Sequence, residues 1–523
     1  MALPPDLRGF GFEGHGIMET THDVSLYDSD TRRTILVTLP NPRGLTPPDD
    51  DPEFWLPTEK AADALTIHLE HVPPDTVAIE VDEMGKLLSF CTDPARDLSS
   101  STDNLDIEEY QLPPLVADRT IRRSELIEVR RLAPNADLVS YAPSLSRPPS
   151  NEDRNRYVFK YSTASVVASW GEIQMLARLP PHPNIVLLDR VVLDEMTGSQ
   201  VVGFTTRYIA GGTLKESRRP FKLKWLRQLM QTVDDLNFKH GIIHQDIADR
   251  NLMVDPDTDM ILLFDFNFAY RVGVSKGGSK MHERKRGERD DVKGVLVFLY
   301  EFITRDPILE RYALDLLDEK DYKDPGKWVK HPDVELDDDV AEFYFELMTW
   351  VRQRRAGKQM AHHTEAPEHL DWPDIPEKTE TMGYMACERR VAGLPFLEWQ
   401  RPSLATLDPT RRILATGRYA DEEEAAQKAK AAAAAKAPSP SATAIKAAAA
   451  GKGASSKERD ERLGTTKNID ETVSDGVRRK LRPRQTKPTK RKQGDGDAGA
   501  AVAVDGPAKR RTSRQSSPAL SRG

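Results

Sequence analysis

Apolar residues recur at helical spacing in two stretches of the chain. Val166, Val167, Trp170, Ile173, Leu176 and Leu179 fall three and four apart, which predicts a helix over 165–179. Leu226, Leu229, Met230, Val233 and Leu236 repeat the pattern and predict a second helix. A third amphipathic stretch runs from Val340 to Arg355. Elsewhere the pattern is that of strands. Thr34–Leu39 is one, and Thr76–Val81 with Leu87–Phe90 reads as a hairpin turned at Gly85. Leu126–Val129 and Leu138–Tyr141 are two more, followed by Tyr157–Lys160 and then Ile261–Phe264. Strands come first and helices dominate later, the ordering of an α+β chain with a β-rich front half.

Composition divides the chain further. Residues 1–115 are rich in Pro and Asp and read as a small β-rich extension with no catalytic constellation. Residues 116–415 carry the alternating strands and helices of a folded body. Past that point, residues 416–523 read as a disordered tail: Ala and Lys fill 424–450, and 451–523 are polar, basic and poor in aromatics. Net charge is −8 overall, but 421–523 holds 23 Lys+Arg against 13 Asp+Glu, so an acidic body carries a basic appendage. The two cysteines, Cys91 and Cys387, make no disulfide framework and point to a reducing compartment. The first residues lack the apolar core of a secretory leader, and Val295–Ile303 falls far short of the roughly 20 residues a membrane span needs. An intracellular protein with no membrane contact is expected.

The chemistry gathers in four places. Lys160 ends an apolar strand, and Glu172 lies twelve residues on, within the first predicted helix. His244-Gln-Asp-Ile-Ala-Asp-Arg-Asn251 puts a carboxylate, a guanidinium and an amide in one loop. Asp265 then ends the strand Ile261–Phe264. Phosphoryl transfer requires such a set: a cation for phosphates, a carboxylate to orient and deprotonate the acceptor, and oxygen ligands for magnesium.

These segments resemble the protein kinase superfamily. The HxDxxxxN loop resembles the kinase catalytic loop, and Asp265-Phe-Asn resembles the magnesium-binding DFG motif. His182-Pro-Asn-Ile-Val186 resembles the turn after the glutamate helix. Thr206-Arg-Tyr208-Ile-Ala-Gly-Gly212 resembles the hinge, and Asp291–Glu301 the buried helix of the second lobe. More narrowly, the HQDIA and LFDFN segments resemble a group of fungal protein kinase-like proteins. The resemblance implies a two-lobed fold, with an N-lobe over 116–209 and a C-lobe over 210–415. It implies ATP and Mg2+, with Lys160, Thr206, Tyr208, Asn251 and Asp265 contacting the nucleotide and Asn251 and Asp265 holding metal. Asp246 is then the catalytic base, supported by Lys160 and Glu172, and Arg250 supplies a cation near the transferred phosphate. The implied partner is a protein substrate.

Four departures qualify that reading. Ala133-Pro-Asn-Ala-Asp137 stands where a glycine-rich loop belongs, so close backbone amides for the phosphates are fewer. Asn267 replaces the DFG glycine, and Gln245 the arginine before the base. The segment after Asp265 is short and basic. Two rival readings follow: a non-catalytic pseudokinase, and a small-molecule kinase of the aminoglycoside/choline type. In the tail, Arg478–Arg484, Lys490–Lys492 and Lys509–Arg511 read as nuclear import signals, implying an import receptor and a nuclear or nucleocytoplasmic protein. No aromatic interleaves these clusters, so nucleic-acid binding beyond phosphate contact is not supported.

Overall fold

The computed structural model describes residues 10–17, 20–41, 56–101, 105–141, 155–163, 166–194, 198–274, 290–308, 314–376, 384–393 and 397–436. The basic stretch after Val274 and the tail clusters lie outside these residues.

The extension is a five-stranded sheet in the order Phe10–Ile17, Thr21–Asp28, Arg33–Pro40, Ala78–Val81, Leu87–Cys91. The third and fourth strands are parallel, which requires a crossover, and helix Leu56–His68 supplies it. Burial alternates along Thr21–Asp28, so Val24 and Leu26 share one face. That face packs with Ile35, Val37, Ile79 and Val81 against Ala61, Ala64 and Leu65 of the helix, forming a small core of its own. The expected strand over 34–39 and the hairpin turned at Gly85 (φ +76°) are both present.

The body is two-lobed. Its N-lobe is a six-stranded sheet in the order Thr120–Arg122, Leu188–Leu193, Val201–Arg207, Arg156–Tyr161, Ala136–Ser140, Ile127–Ala133. Helix Val166–Arg178 lies against it. The C-lobe gathers helices Leu223–Asp234, Asp291–Thr304 and Val340–Ala356 around a cluster of Phe221, Trp225, Phe298, Phe302 and Phe343. No described helix is long and apolar enough to cross a membrane.

Three boundaries read from sequence shift. Leu105 and Tyr110 pack into the main core rather than the extension. Leu397, Trp399 and Ala415, placed by sequence in the C-lobe, instead cover the outer face of the N-lobe sheet, against Phe159, Tyr161 and Val139. That face would otherwise expose a row of large apolar side chains, and the chain returns to cover it. Ala420–Lys436 is a helix where a disordered tail was expected; alanine and lysine have high intrinsic helix propensity, and Arg411 pairs with Asp421 and Glu422 in its first turn.

The same returning segment meets the extension over the N-lobe in a buried ionic cluster. Arg401 holds Glu128 at 2.6 Å and Asp137 at 3.3 Å. Arg32, from the extension's Asp28–Arg33 turn, also pairs with Asp137 and lies 4.1 Å over the Tyr161 ring. Arg131 pairs with Glu128 at 3.2 Å and with Asp30 of the same turn. Three guanidinium groups face three carboxylates out of water, an arrangement that survives burial because each charge is matched.

Candidate active site

The lysine strand Arg156–Tyr161 is central to the sheet, with Val201–Arg207 on one side and Ala136–Ser140 on the other. Gly203 makes the first pairing close: a Cβ there would lie 2.2 Å from the Lys160 carbonyl oxygen. Phe159 and Tyr161 face the outer cover, so period-two alternation turns Lys160 and Val158 to the opposite side, toward the cleft.

There Lys160 Nζ donates to Glu172 at 2.8 Å and also pairs with Asp265. Glu172 is buried and accepts the Phe266 amide at 3.0 Å through the same carboxylate. Burial alone would pull the Lys160 ammonium down, but Glu172 and Asp265 outweigh it and hold it above its ordinary value. The lysine is therefore charged and aimed. Asp265 has left-handed backbone geometry (φ +63°), which turns its carboxylate back from the strand end toward the lysine. Asn267, which replaces the DFG glycine, sits inside the short turn Phe266–Phe268 without positive φ.

The loop His244–Asn251 is fixed from below. Asp291, at the start of a buried helix, accepts the amides of His244 at 2.8 Å and Gln245 at 2.7 Å, and the Asn237 side chain at 2.9 Å. Its carboxylate thus holds the loop, a role the sequence pattern did not reveal. Gln245 takes φ +68°, the bend that presents the next residue. His244 is buried, accepts the Asp246 amide at 3.2 Å, and reaches the Phe264 carbonyl at 3.1 Å. Burial lowers its pKa despite Asp291, keeping the ring neutral and structural.

Asp246 is thereby placed beside two partners. Arg250 Nη2 donates to its Oδ1 at 2.7 Å, and Asn251 Nδ2 to its Oδ2 at 2.8 Å and to its carbonyl at 2.9 Å. Fixing the Asn251 amide nitrogen on Asp246 turns Oδ1 the other way, available to a cation. Asn251 O in turn accepts the Phe264 amide at 3.1 Å, joining the loop to the strand that ends at Asp265. One amide oxygen and one carboxylate fit a magnesium ion that keeps phosphate and water ligands.

Of the expected nucleotide contacts, Thr206 pairs with Val158, on the cleft side of the sheet. Tyr208 donates its N–H to Arg156 O at 3.1 Å, so that donor is committed to the protein and not to a base. Below the hinge lies an apolar cluster that the sequence reading missed, of Val186, Ile209 and Leu262 with Met253 and Phe264. Short apolar runs do not say which residue lines a cleft, so no sequence signal marked Met253. Where the glycine loop would be, Pro134 and Asn135 alone turn the chain, and Tyr161 ties both carbonyls, at 3.0 and 3.1 Å.

No family model matches the chain. It is 30% identical over 127 residues to a mouse MAPK/MAK/MRK overlapping kinase, and 28% identical over 127 residues to the human one. Each likeness covers 22% of this chain and 30% of the relative, so the chain matches under a third of those proteins' length. Among solved structures it is similar to the Cydia pomonella granulovirus kinase PK-1, at a TM-score of 0.27 and 19% identity, over 38% of this chain and 78% of that one. The two lobes, the lysine–glutamate pair and the local sequence likeness make this chain protein kinase-like.

Proposed function

We propose that the chain is a protein kinase that transfers the γ-phosphoryl group of ATP to a protein hydroxyl, with Mg2+. The observation that carries this reading is the assembled pair of contacts at the cleft: Lys160 held between Glu172 and Asp265, and Asp246 held by Arg250 and Asn251. Lys160 grips the nucleotide phosphates, and Glu172 fixes Lys160. Asp246 orients the acceptor hydroxyl and takes its proton as its oxygen bonds to the γ-phosphorus and the bond to ADP breaks. Asn251 and Asp265 would hold Mg2+, which would supply positive charge against the phosphates. Arg250 stands beside the base, where negative charge builds on the transferred group. The narrower resemblance to fungal kinase-like proteins rests on the HQDIA and LFDFN segments alone.

The pseudokinase reading draws on one observation, the two-residue Pro134–Asn135 turn, whose carbonyls are already bonded to Tyr161. The deciding experiment is a nucleotide titration with and without magnesium on wild type and Asp265→Ala, joined to a phosphate-transfer assay on a generic protein substrate. Magnesium-dependent binding lost in Asp265→Ala, with transfer by wild type, supports the kinase. Binding without transfer favours the pseudokinase, and transfer to a small aminoalcohol alone favours the small-molecule kinase. The basic clusters at 478–492 and 509–511 are the proposed address for nuclear import.

A further inference from the structure

Glu172 can hold Lys160 only while its helix, Val166–Arg178, stays pressed toward the cleft. The far side of that helix is not left to solvent. Trp170, two residues before Glu172, is buried, and its ring centroid lies 4.6 Å from that of Tyr110. Gln174 Nε2 donates to the Tyr110 carbonyl at 2.8 Å, and Arg178 Nη2 to the Gln111 carbonyl at 2.8 Å. Trp170 Nε1 donates to the Pro373 carbonyl at 3.3 Å.

Pro373 belongs to a segment that begins at the other half of the site. At 361–363 the chain packs so closely on the strand after Asp265 that a Cβ on Gly273 would lie 2.0 Å from the Ala361 carbonyl oxygen. A Cβ on Gly241, just before the catalytic loop, would lie 2.7 Å from the His363 carbonyl oxygen. His363 donates its amide to Val272 O at 2.8 Å, and Leu370 to His240 O at 3.1 Å. The segment then captures Arg271, six residues past Asp265. The guanidinium pairs with Asp371, donates to the Trp372 carbonyl at 3.1 Å, and lies 4.8 Å over the Trp372 ring. Trp372 and Trp170 belong to one buried cluster. One continuous stretch thus touches the approach to Asp246, the segment after Asp265 and the back of the Glu172 helix.

We infer that residues 361–376, with Tyr110, form a built-in clasp that holds the Glu172 helix in its Lys160-paired position, with Trp170 and Trp372 as positioning residues. Gln245 stands where the family resemblance expects an arginine reaching toward the segment after Asp265, and the clasp joins that segment to the helix by a different route. The catalytic consequence rests on the proposed kinase reading; the mechanical one does not. Both tryptophans act through the Glu172 helix, apart from the residues proposed to hold nucleotide and acceptor.

The test is hydrogen exchange on the full chain, comparing the peptide 166–178 with the buried helix 291–304 as internal reference. In Trp372→Ala, exchange over 166–178 should rise about tenfold while 291–304 stays protected, because only the local opening is made easier. Trp170→Phe, which loses the donor to Pro373 and shrinks the buried ring, should raise exchange over 166–178 in the same direction by a smaller factor. If Trp372→Ala loses protection in both helices, Asp371→Asn decides, since it weakens the capture of Arg271 without opening a cavity, leaving Asp374 at 3.4 Å and the Trp372 carbonyl as its partners. A rise confined to 166–178 supports the clasp, and unchanged exchange there overturns it. In turnover assays Trp372→Ala should lower kcat about tenfold, with no added loss in a Glu172→Gln background, because both changes act through one contact. Additive losses would overturn the clasp. Wild-type protein that transfers no phosphate, while exchange behaves as described, would remove the kinase reading and leave the clasp standing.

Discussion

The acid-base chemistry of the site turns on single side chains whose neighbours decide their state. Asp246 is held by the Arg250 guanidinium and the Asn251 amide, so its removal should cost chemistry rather than folding. Asp246→Asn is expected to lower the rate of phosphate transfer by about 10²–10⁴ while magnesium-dependent nucleotide binding and the thermal midpoint stay near wild type. A transfer assay at saturating ATP checks it, and wild-type turnover in this variant would remove Asp246 from its role. In the proposed kinase, Lys160 would carry more of the phosphate charge than it would under a glycine-rich loop, because the Pro134–Asn135 turn is only two residues long. Lys160→Ala should therefore abolish measurable ATP binding by calorimetry, and tight metal-independent binding in that variant would contradict the mode. Both residues lie in segments whose local sequence marks them, and the structure puts them at one cleft. Asp291 shows the opposite case. A helix N-terminal aspartate reads as a cap or a surface charge, and only the chain fold brings it under the amides of His244 and Gln245.

Elements, in turn, are joined by charges that no element could keep buried alone. The extension's Asp28–Arg33 turn, the N-lobe hairpin and the returning segment each contribute to one ionic cluster, and Asp137 meets arginines from two of them. Leaving those arginines unmatched is costly, so Asp137→Asn should lower unfolding free energy by about 3–5 kcal/mol, read from denaturant midpoints. Glu128 adds a pH dependence. Burial pushes its carboxyl up to about 7, more than Arg401 pulls it down. A carboxyl raised in the folded state binds its proton more tightly there than in the unfolded chain. Its stabilising contribution is thus complete below the unfolded pKa and is lost as pH rises through about 7. Between about pH 5 and pH 8 this lowers stability by about 3 kcal/mol at most, and Glu128→Gln should flatten that part of the profile. Thermal midpoints measured across the range compare the two proteins, and parallel profiles would assign the pH dependence elsewhere.

At the scale of the whole molecule, the described residues run to the helix Ala420–Lys436, and the basic clusters lie past it in the sequence. Removing 437–523 should leave the thermal midpoint unchanged and shift a fluorescently tagged protein from nucleus to cytoplasm; an unmoved nuclear signal would place the import information elsewhere. The sequence by itself singled out the candidate site residues. The spacing of Lys160, Glu172, Asp246, Asn251 and Asp265 is local information, each residue lying in a short segment whose apolar pattern fixes strand, helix or loop. It determined the strand at 34–39, the hairpin at Gly85 and the three amphipathic helices for the same reason. What only the tertiary structure decided are contacts between residues far apart in the chain: Arg32 with Asp137, Arg401 with Glu128, Trp170 with Pro373, Asp291 with the catalytic loop. Periodicity records which face of an element is buried, but not which other element buries it. The cover at 397–415 carries too few apolar residues to show a period, so its place on the N-lobe follows from the exposed face it completes.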